Sequence, residues 1–479
     1  MTPSDATNLA EELRQLLGAE GVLDAHSDLS VYECDAFVIE KNCPSVAVFP
    51  RTTVQVAQIV KICVRRNVPF VPRGAGTSLA GGGMPVGGGV MIVLTRMREI
   101  LDVNLRDAYA VVEPGVVNGH LNRHLVGTGY HYAPDPSSQG ACTIGGNVAT
   151  NAGGPHTLKY GVTVNHVLGV EIVTAEGEIA QIGGPAPDVP GPDLVGTIVG
   201  GEGTLGIVTK IWVRLTRNPQ SCRTMLGVFD SVDDATQAIS GIIGAGIIPA
   251  ALEMMDQGIL VAVEEAFHFG FPLDAEAILL IEVDGLEVGL DAHRDRVAAI
   301  CSEHGAREVR FAKDAKERLQ LWKARKQAFG AIGRLSPSYC TQDGVVPRTK
   351  LPHILARIRA IGTKYDLRVV NVFHAGDGNL HPILLFDERH PEEIRRVLAA
   401  SNEILQECLD CGGSVTGEHG IGLEKISFMN RMFNDDDLAV MTRLHDALNP
   451  SGLLSRGKLL PTCGACGSEQ LHPGRRAAL

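Results

Sequence analysis

The sequence predicts an α+β fold in two parts, a glycine-looped α/β region followed by an antiparallel-sheet domain. Three observations predict it. Strand candidates joined by glycine-rich loops run to about residue 219 and stop at the polar break Thr216-Arg217-Asn218-Pro219. Beyond 220, apolar strands (Ala277 to Val283, Arg368 to Phe373, Ile383 to Phe386) alternate with amphipathic helices such as Glu392 to Cys411. A chain of 479 residues is also too long for one core, so two or three domains are expected.

At the N-terminus, Ser4-Asp5 reads as a helix cap, followed by Leu9, Leu13, Leu16 and Leu17 on one face and Gly18 as the stop. Glu11 and Glu12, with no cleavable apolar stretch, argue against a targeting peptide. The uncharged, apolar stretch Ala238 to Leu252 falls short of the roughly 20 residues of a spanning helix. Val56, Ile59, Val60 and Cys63 carry helical spacing. The strand candidate Val68 to Val71 then enters Gly74 to Gly89, where eight glycines fall within sixteen residues. Glycine permits close backbone approach and positive φ, and successive N–H groups in such a turn form an anion-binding concavity. The run therefore reads as a diphosphate cradle, with a flexible surface loop as the alternative. It is not a Rossmann fingerprint: Gly74-x-Gly76 lacks the third glycine, and Gly81-Gly82-Gly83 forbids an immediate helix. Strands Val90 to Leu94, Ala110 to Glu113 and Ile207 to Leu215 complete this part, and residues 430 to 460 read as helix, then turn.

Composition narrows the partners. A net charge of −12 with no Lys/Arg block excludes a nucleic-acid track. Eleven cysteines without framework spacing suit reduced cytoplasmic thiols. Cys463-Gly-Ala-Cys466 has no second pair to complete a metal or cluster site, and 463–479 reads as a disordered tail.

Two further regions repeat the glycine chemistry. Pro134-Asp135-Pro136-Ser137-Ser138-Gln139-Gly140 runs on to Thr143, Gly145, Gly146, Asn147, Asn151 and Gly153, and Gly200 to Ile207 is again a close-approach backbone. Each alone is compatible with turn chemistry; together they favour a long cofactor. The motifs RGAGTS from Arg73, PDPSSQ-x-x-C-x-IGGN, NAGG-x-x-x-LKYG and GGEGTLGI resemble the FAD-binding half of the vanillyl-alcohol oxidase/p-cresol methylhydroxylase superfamily, over about residues 30 to 460. The resemblance implies that Arg73, Gly74, Ala75, Gly76, Thr77 and Ser78 hold the FAD diphosphate. Pro134, Asp135, Gly140, Thr143, Gly145, Gly146, Asn147, Asn151, Gly153, Glu202, Gly206, Ile207 and Asn449 would line the rest of the cofactor. Some members tether FAD through a histidine in the first loop; Ser78 and the absence of histidine there imply non-covalent FAD. The implied division is an FAD domain over 1–219 (its glycine-loop part about 42–219), a substrate and metal cap over 220–429, and a segment 430–462 returning to the FAD domain.

The second part carries titratable chemistry. His374 and His381 flank Gly376-Asp377-Gly378-Asn379, a strong hairpin turn that can fold the two imidazoles together. Glu418 and His419 lie between glycines further on. Two histidines and one glutamate with open positions left form a common ligand set for a catalytic divalent metal. A satisfied hairpin histidine or a helix-cap pair is the structural alternative for each. The arrangement resembles the D-2-hydroxy-acid dehydrogenase branch, which implies His374, His381 and Glu418 as ligands of zinc, or of manganese or iron, and His419 as the neighbouring base. The same resemblance makes Arg325 the clamp for a substrate carboxylate, with Arg348 a second candidate; a planar guanidinium suits that pairing.

The implied reaction is oxidation of a small 2-hydroxy acid to a 2-oxo acid, with metal-assisted deprotonation of the hydroxyl and hydride transfer to flavin N5. Phe329 and Cys340-Thr341-Gln342 offer no lysine for a distal carboxylate, which disfavours 2-hydroxyglutarate. Residues such as Val31-Tyr32-Glu33-Cys34-Asp35 and Leu252-Glu253-Met254-Met255-Asp256 place the chain beside the glycolate-oxidising members, with D-lactate as the runner-up substrate. That implies a complex with a second flavin-fold subunit and an iron–sulfur subunit, cytoplasmic and held at the inner membrane face through them. A non-catalytic flavin-fold scaffold would lose the metal ligands and Arg325, and a metallohydrolase would leave the glycine loops unexplained.

Overall fold

A computed structural model describes residues 3–186 and 190–461, so Cys463, Cys466 and the segment 463–479 lie outside the described residues. The described chain forms two compact units, one of residues 3–152, 162–186, 190–217 and 418–461, the other of 153–161 and 218–417.

In the first unit the N-terminal helix Pro3–Leu17 buries Leu9 and Leu13 completely. It begins at Pro3, so Ser4 and Asp5 lie within its first turn and do not precede it as a cap. Proline suits that position because its fixed φ is helical and its missing N–H would be unpaired there anyway. A four-stranded sheet follows, ordered Val22–Leu23, Val46–Val48, Val90–Val93, Phe70–Arg73, with the last three strands parallel. Helix Thr53–Arg65 connects two of these strands, capped by Thr52 Oγ1 accepting from Gln55 N–H, and it buries Val56, Ile59, Val60 and Cys63. A five-stranded antiparallel sheet has Ile207–Arg214 at its centre, whose residues alternate between buried and more exposed positions. That alternation is expected of a strand covered more fully on one face.

The second unit is built on a seven-stranded antiparallel sheet in the order Ala306–Phe311, Ser221–Phe229, Ala277–Gly285, Ala251–Asp256, Arg368–Phe373, Pro382–Phe386, Ser338–Thr341. Ala277–Val283 is buried on both faces, which explains the apolar run Ala277–Ile281 where a half-exposed strand would alternate. Helices Gln257–Phe267 and Ala315–Ile332 pack together against one face through Ile259, Val263, Ala324, Ala328 and Ile332. Gly153–Gly161 belongs to this unit because Lys159 and Tyr160 bond to Asp284, and His156 stacks on Trp322.

The chain leaves the second unit after Gly417, ahead of the break expected near 429. The physical reason is Glu202, whose carboxylate accepts the N–H groups of Ile421 (2.6 Å) and Gly422 (2.7 Å). Helix Asp435–Leu448 follows, and Phe70 then pairs with the terminal segment through Leu453 O and Ser455 N.

Candidate functional site

The cap sheet brings the sequence-predicted side chains together. Strand Arg368–Phe373 ends at His374, and Pro382–Phe386 pairs back along it, Val370 opposite Ile383 and Asn371 opposite Pro382. An isolated bridge between His374 and Asn379 closes the hairpin. Gly378 takes φ of +73°, and a Cβ there would strike Val346 O, so the turn requires glycine. Folded this way, the rings of His374 and His381 stand 5.2 Å apart, centre to centre, at 89°. Glu418, the third ligand that the resemblance implies, is the first residue of the chain's return to the first unit. Glu418 follows Gly417 directly, and Gly417 N and Thr416 Oγ1 both donate to Asp343 Oδ2 (2.9 and 2.7 Å), tying that end of the loop to the cap. Two imidazoles this close, with a carboxylate as the third donor, suit zinc, manganese or iron, so these residue types fit the implied metal.

Two carboxylates that sequence reasoning did not assign complete the cap site. Asp343 is fully buried beside His381. Glu253, 1% exposed, sits on the central strand Ala251–Asp256. Its Oε1 and Oε2 lie 2.8 and 3.0 Å from His374 Nδ1, and its Oε2 is 2.6 Å from Arg325 Nη2. Burial alone pushes the Glu253 carboxyl up, but Arg325 and His374 outweigh it and hold it below its ordinary value. The available sequence signal was a lone acid in an otherwise apolar strand segment, Ala251-Leu252-Glu253-Met254-Met255.

Arg325 is fully buried on helix Ala315–Ile332. Beyond its ion pair with Glu253, its Nε and Nη1 have no hydrogen-bond partner. Unpaired buried guanidinium N–H groups are costly, and an incoming carboxylate would satisfy them. Arg348 differs, because its Nη1 donates to Gly376 O at 3.2 Å and braces the hairpin turn. Phe329 sits edge-on to His381, 6.4 Å between ring centres.

The glycine loops of the first unit converge as well. A Cβ on Gly74 would fall 2.6 Å from Thr143 Oγ1, and Gly146 Cα lies next to it, so the first two loops touch through bare backbone. Gly76 holds φ of +74°, and a Cβ there would collide with the Arg73 guanidinium, which crosses the loop to bond Cys34 O at 2.8 Å. Gly82 faces the Glu202 carboxylate. Thr143 caps helix Ile144–Thr150, and Asn151 ends it in the left-handed conformation. Ser78 Oγ is buried with no hydrogen-bond partner. Ala75 is exposed and Gly140 has open space around it. These features fit a dinucleotide approached by backbone.

Several predicted cofactor residues have structural duties. Glu202 holds the 421–422 turn, and Asn449 donates to Thr204 O and Leu454 O. Asn147 accepts from Asn118, which also donates to Pro134 O beside buried Asp135. Gly206 and Ile207 open the central strand, and Gly153 belongs to the second unit. Sequence reasoning missed Lys458, buried with Asp35, Glu202 and Arg73 around it. Burial lowers the Lys458 ammonium to about 7 and raises the Asp35 carboxyl to about 6.

Comparison with known proteins agrees with this architecture. Residues 44–183 match the FAD binding domain family and residues 218–459 match the FAD linked oxidases, C-terminal domain. The chain is 45% identical over 473 residues to glycolate oxidase subunit GlcD of Escherichia coli K12, covering 98% of this chain and 95% of the relative. It is 39% identical to the Bacillus subtilis protein of the same name, covering 94% and 96%. It is 32% identical to the probable mitochondrial D-lactate dehydrogenase of Danio rerio, covering 94% and 91%. Among solved structures, 4-ethylphenol oxidase from Gulosibacter chungangensis superposes with a TM-score of 0.81 at 20% identity, covering 96% of this chain and 97% of that one. p-Cresol methylhydroxylase gives 0.80 at 20% identity, covering 95% and 96%. Glycine loops that admit a dinucleotide, followed by an antiparallel cap, are thus the two halves of one known design, and the chain belongs to the FAD-linked oxidases.

Proposed function

We propose that the protein oxidises glycolate to glyoxylate as the FAD-carrying subunit of a glycolate oxidase. The observation that carries this reading is the cap cluster, in which the candidate metal ligand His374 and a buried arginine with unpaired N–H groups share the Glu253 carboxylate. When bound, FAD accepts the α-hydrogen with its electron pair, and a divalent ion supplies Lewis acidity toward the hydroxyl oxygen.

The chain's own residues do the rest. His374, His381 and Glu418 would hold the ion, with zinc first and manganese or iron as alternatives. Arg325 binds the substrate carboxylate through N–H groups that Glu253 leaves unpaired and fixes which way the α-carbon faces. His419 takes the hydroxyl proton as general base, so one proton and one hydride leave the substrate and a carbonyl forms. Phe329, packed on His381, offers no charge to a second carboxylate, in keeping with a short monoacid. The relatives' designation as a subunit supports a complex, and we assign the onward electron path to a second flavin-fold subunit and an iron–sulfur subunit. The enzyme would work on the cytoplasmic side, reaching the membrane through those partners; among the described residues no helix is long and apolar enough to cross it.

D-Lactate is the second reading, favoured by the Danio rerio relative. One methyl group separates the two substrates and carries only about 1–3 kcal/mol of discrimination. Purified protein assayed with glycolate, D-lactate, L-lactate and D-2-hydroxyglutarate against an artificial dye decides between them. Highest kcat/KM on glycolate is expected; a preference for D-lactate selects the second reading, and one for D-2-hydroxyglutarate rejects both. His374→Ala should keep the yellow flavin spectrum while glycolate turnover falls about 1,000-fold or more, several kcal/mol of lost transition-state stabilisation. Turnover within tenfold of wild type would remove the metal from the reading.

A further inference from the structure

We propose that Glu253 is the positioning residue of the cap site. One buried carboxylate sets both the tautomer of the metal-ligand histidine His374 and the place of the substrate-clamping Arg325. The inference rests on the function proposed above and adds a residue to it.

An ionised glutamate has only acceptor atoms. With both oxygens within 3.0 Å of His374 Nδ1, that nitrogen must carry the proton, which leaves the lone pair on Nε2. His374 is therefore held ready to ligate through one defined atom. The same carboxylate holds Arg325 Nη2 at 2.6 Å, leaving Nε and Nη1 for a ligand. Nothing about a metal ligand or a carboxylate clamp requires that they share a partner; this sheet makes them do so.

The sheet and helix registers explain the sharing. Ala251 pairs with Glu282, and Glu253 with Leu280, so the two buried glutamates lie on the same face of neighbouring strands. Helix Ala315–Ile332 crosses that face. Arg318 and Trp322 bond to Glu282 (2.7 and 2.8 Å), and Arg325, the next residue on that helical face, meets Glu253. Glu282 thereby sets the helix, and Glu253 receives the arginine that results.

Coupling follows from the shared carboxylate. Removing its charge frees the His374 ring to rotate and leaves Arg325 without a fixed orientation, so metal affinity and substrate binding should fall together. Loss of an outer partner of a metal ligand typically costs about 10- to 100-fold in metal affinity.

The test uses full-length flavin-bound protein, stripped of metal with a chelator and titrated calorimetrically with ZnCl2 or MnCl2. Glu253→Gln keeps the shape and loses the charge; Glu253→Asp keeps the charge one methylene short and guards against a Gln variant that does not fold. Expected for Glu253→Gln is native circular dichroism and flavin absorbance, a metal Kd raised about 10- to 100-fold, and a glycolate KM raised alongside a lower kcat. Glu253→Asp should fall between it and wild type. Metal Kd within twofold of wild type in the folded variants overturns the proposal, as does weakened metal binding with unchanged KM. Failure of both variants to fold also overturns it, by making Glu253 a requirement of the fold. Wild-type protein that binds no divalent ion is a different result, because it rejects the metal in the proposed function itself.

Discussion

The two units present ligand-binding chemistry in opposite ways. In the first, bare backbone does the work: Gly74 abuts Thr143, Gly76 adopts a conformation closed to other residues, and the nearby charges of Glu202 and Arg73 are spent on backbone N–H and C=O groups. In the second, polar side chains do it, paired on buried carboxylates: Arg325 and His374 on Glu253, Arg318 and Trp322 on Glu282. A backbone cradle tolerates many side chains but almost no Cβ. A buried charge cluster tolerates neither loss of charge nor loss of shape, since removing one partner of a buried pair leaves the other desolvated and uncompensated.

The largest expected effect breaks the first side of this contrast. Gly76→Val places a β-branched residue at φ of +74°, where an L residue loses roughly 1–2 kcal/mol in the left-handed region. Its Cβ also meets the Arg73 guanidinium, which is fixed by Cys34 O. Protein purified from this variant should carry almost no flavin, read as the ratio of flavin to protein absorbance. Full flavin occupancy would mean that the first loop does not hold the diphosphate.

A middle-sized effect sharpens the second side. Arg325→Lys retains the charge but not the planar, multi-donor guanidinium that can serve Glu253 through Nη2 and substrate through its other N–H groups. Glycolate kcat/KM should fall about 10- to 100-fold, with KM rising and kcat falling. The same change at Arg348, whose guanidinium braces Gly376 O, should cost under about tenfold. A reversed order of the two variants would move the carboxylate clamp to Arg348.

The contrast also accounts for what could be read from the sequence. Glycine clusters announce backbone sites because glycine has a local conformational meaning, so the three loops and the hairpin between His374 and His381 were legible from residue order alone. The strands were legible from apolar runs, Arg368–Phe373 to the residue. Glu253 and Asp343 were not, because their meaning is set by partners distant in the chain: His374 and Arg325 for one, Thr416 and Gly417 for the other. Glu202 and Asn449 stood beside recognisable glycine and turn motifs, yet their polar atoms bond to backbone brought in from residues 421–422 and 454. Proximity in sequence to a cofactor loop says little about where a side chain points.

The smallest expected effect concerns a buried charge cluster in the first unit, where the contrast is weakest. Lys458 is enclosed with Asp35, Glu202 and Arg73 around it, and burial lowers its pKa from 10.5 to about 7. Between those values the folded chain holds fewer protons than the unfolded one, so stability rises with pH through that window and is lost as pH falls through about 7. Asp35 acts with the opposite sign: its carboxyl, raised from 3.8 to about 6, contributes stability below 3.8 that is lost as pH rises through about 6. The cluster therefore contributes least between about 6 and 7. Lys458→Met removes the first term and fills most of the same space. Denaturant unfolding of flavin-free protein at a series of pH values should show wild type gaining on the variant above pH 7, by up to about 1.4 kcal/mol per pH unit. Parallel curves across that range would mean that Lys458 keeps its proton in the fold, its charge held by Asp35 and Glu202 as firmly as Arg325 is held by Glu253.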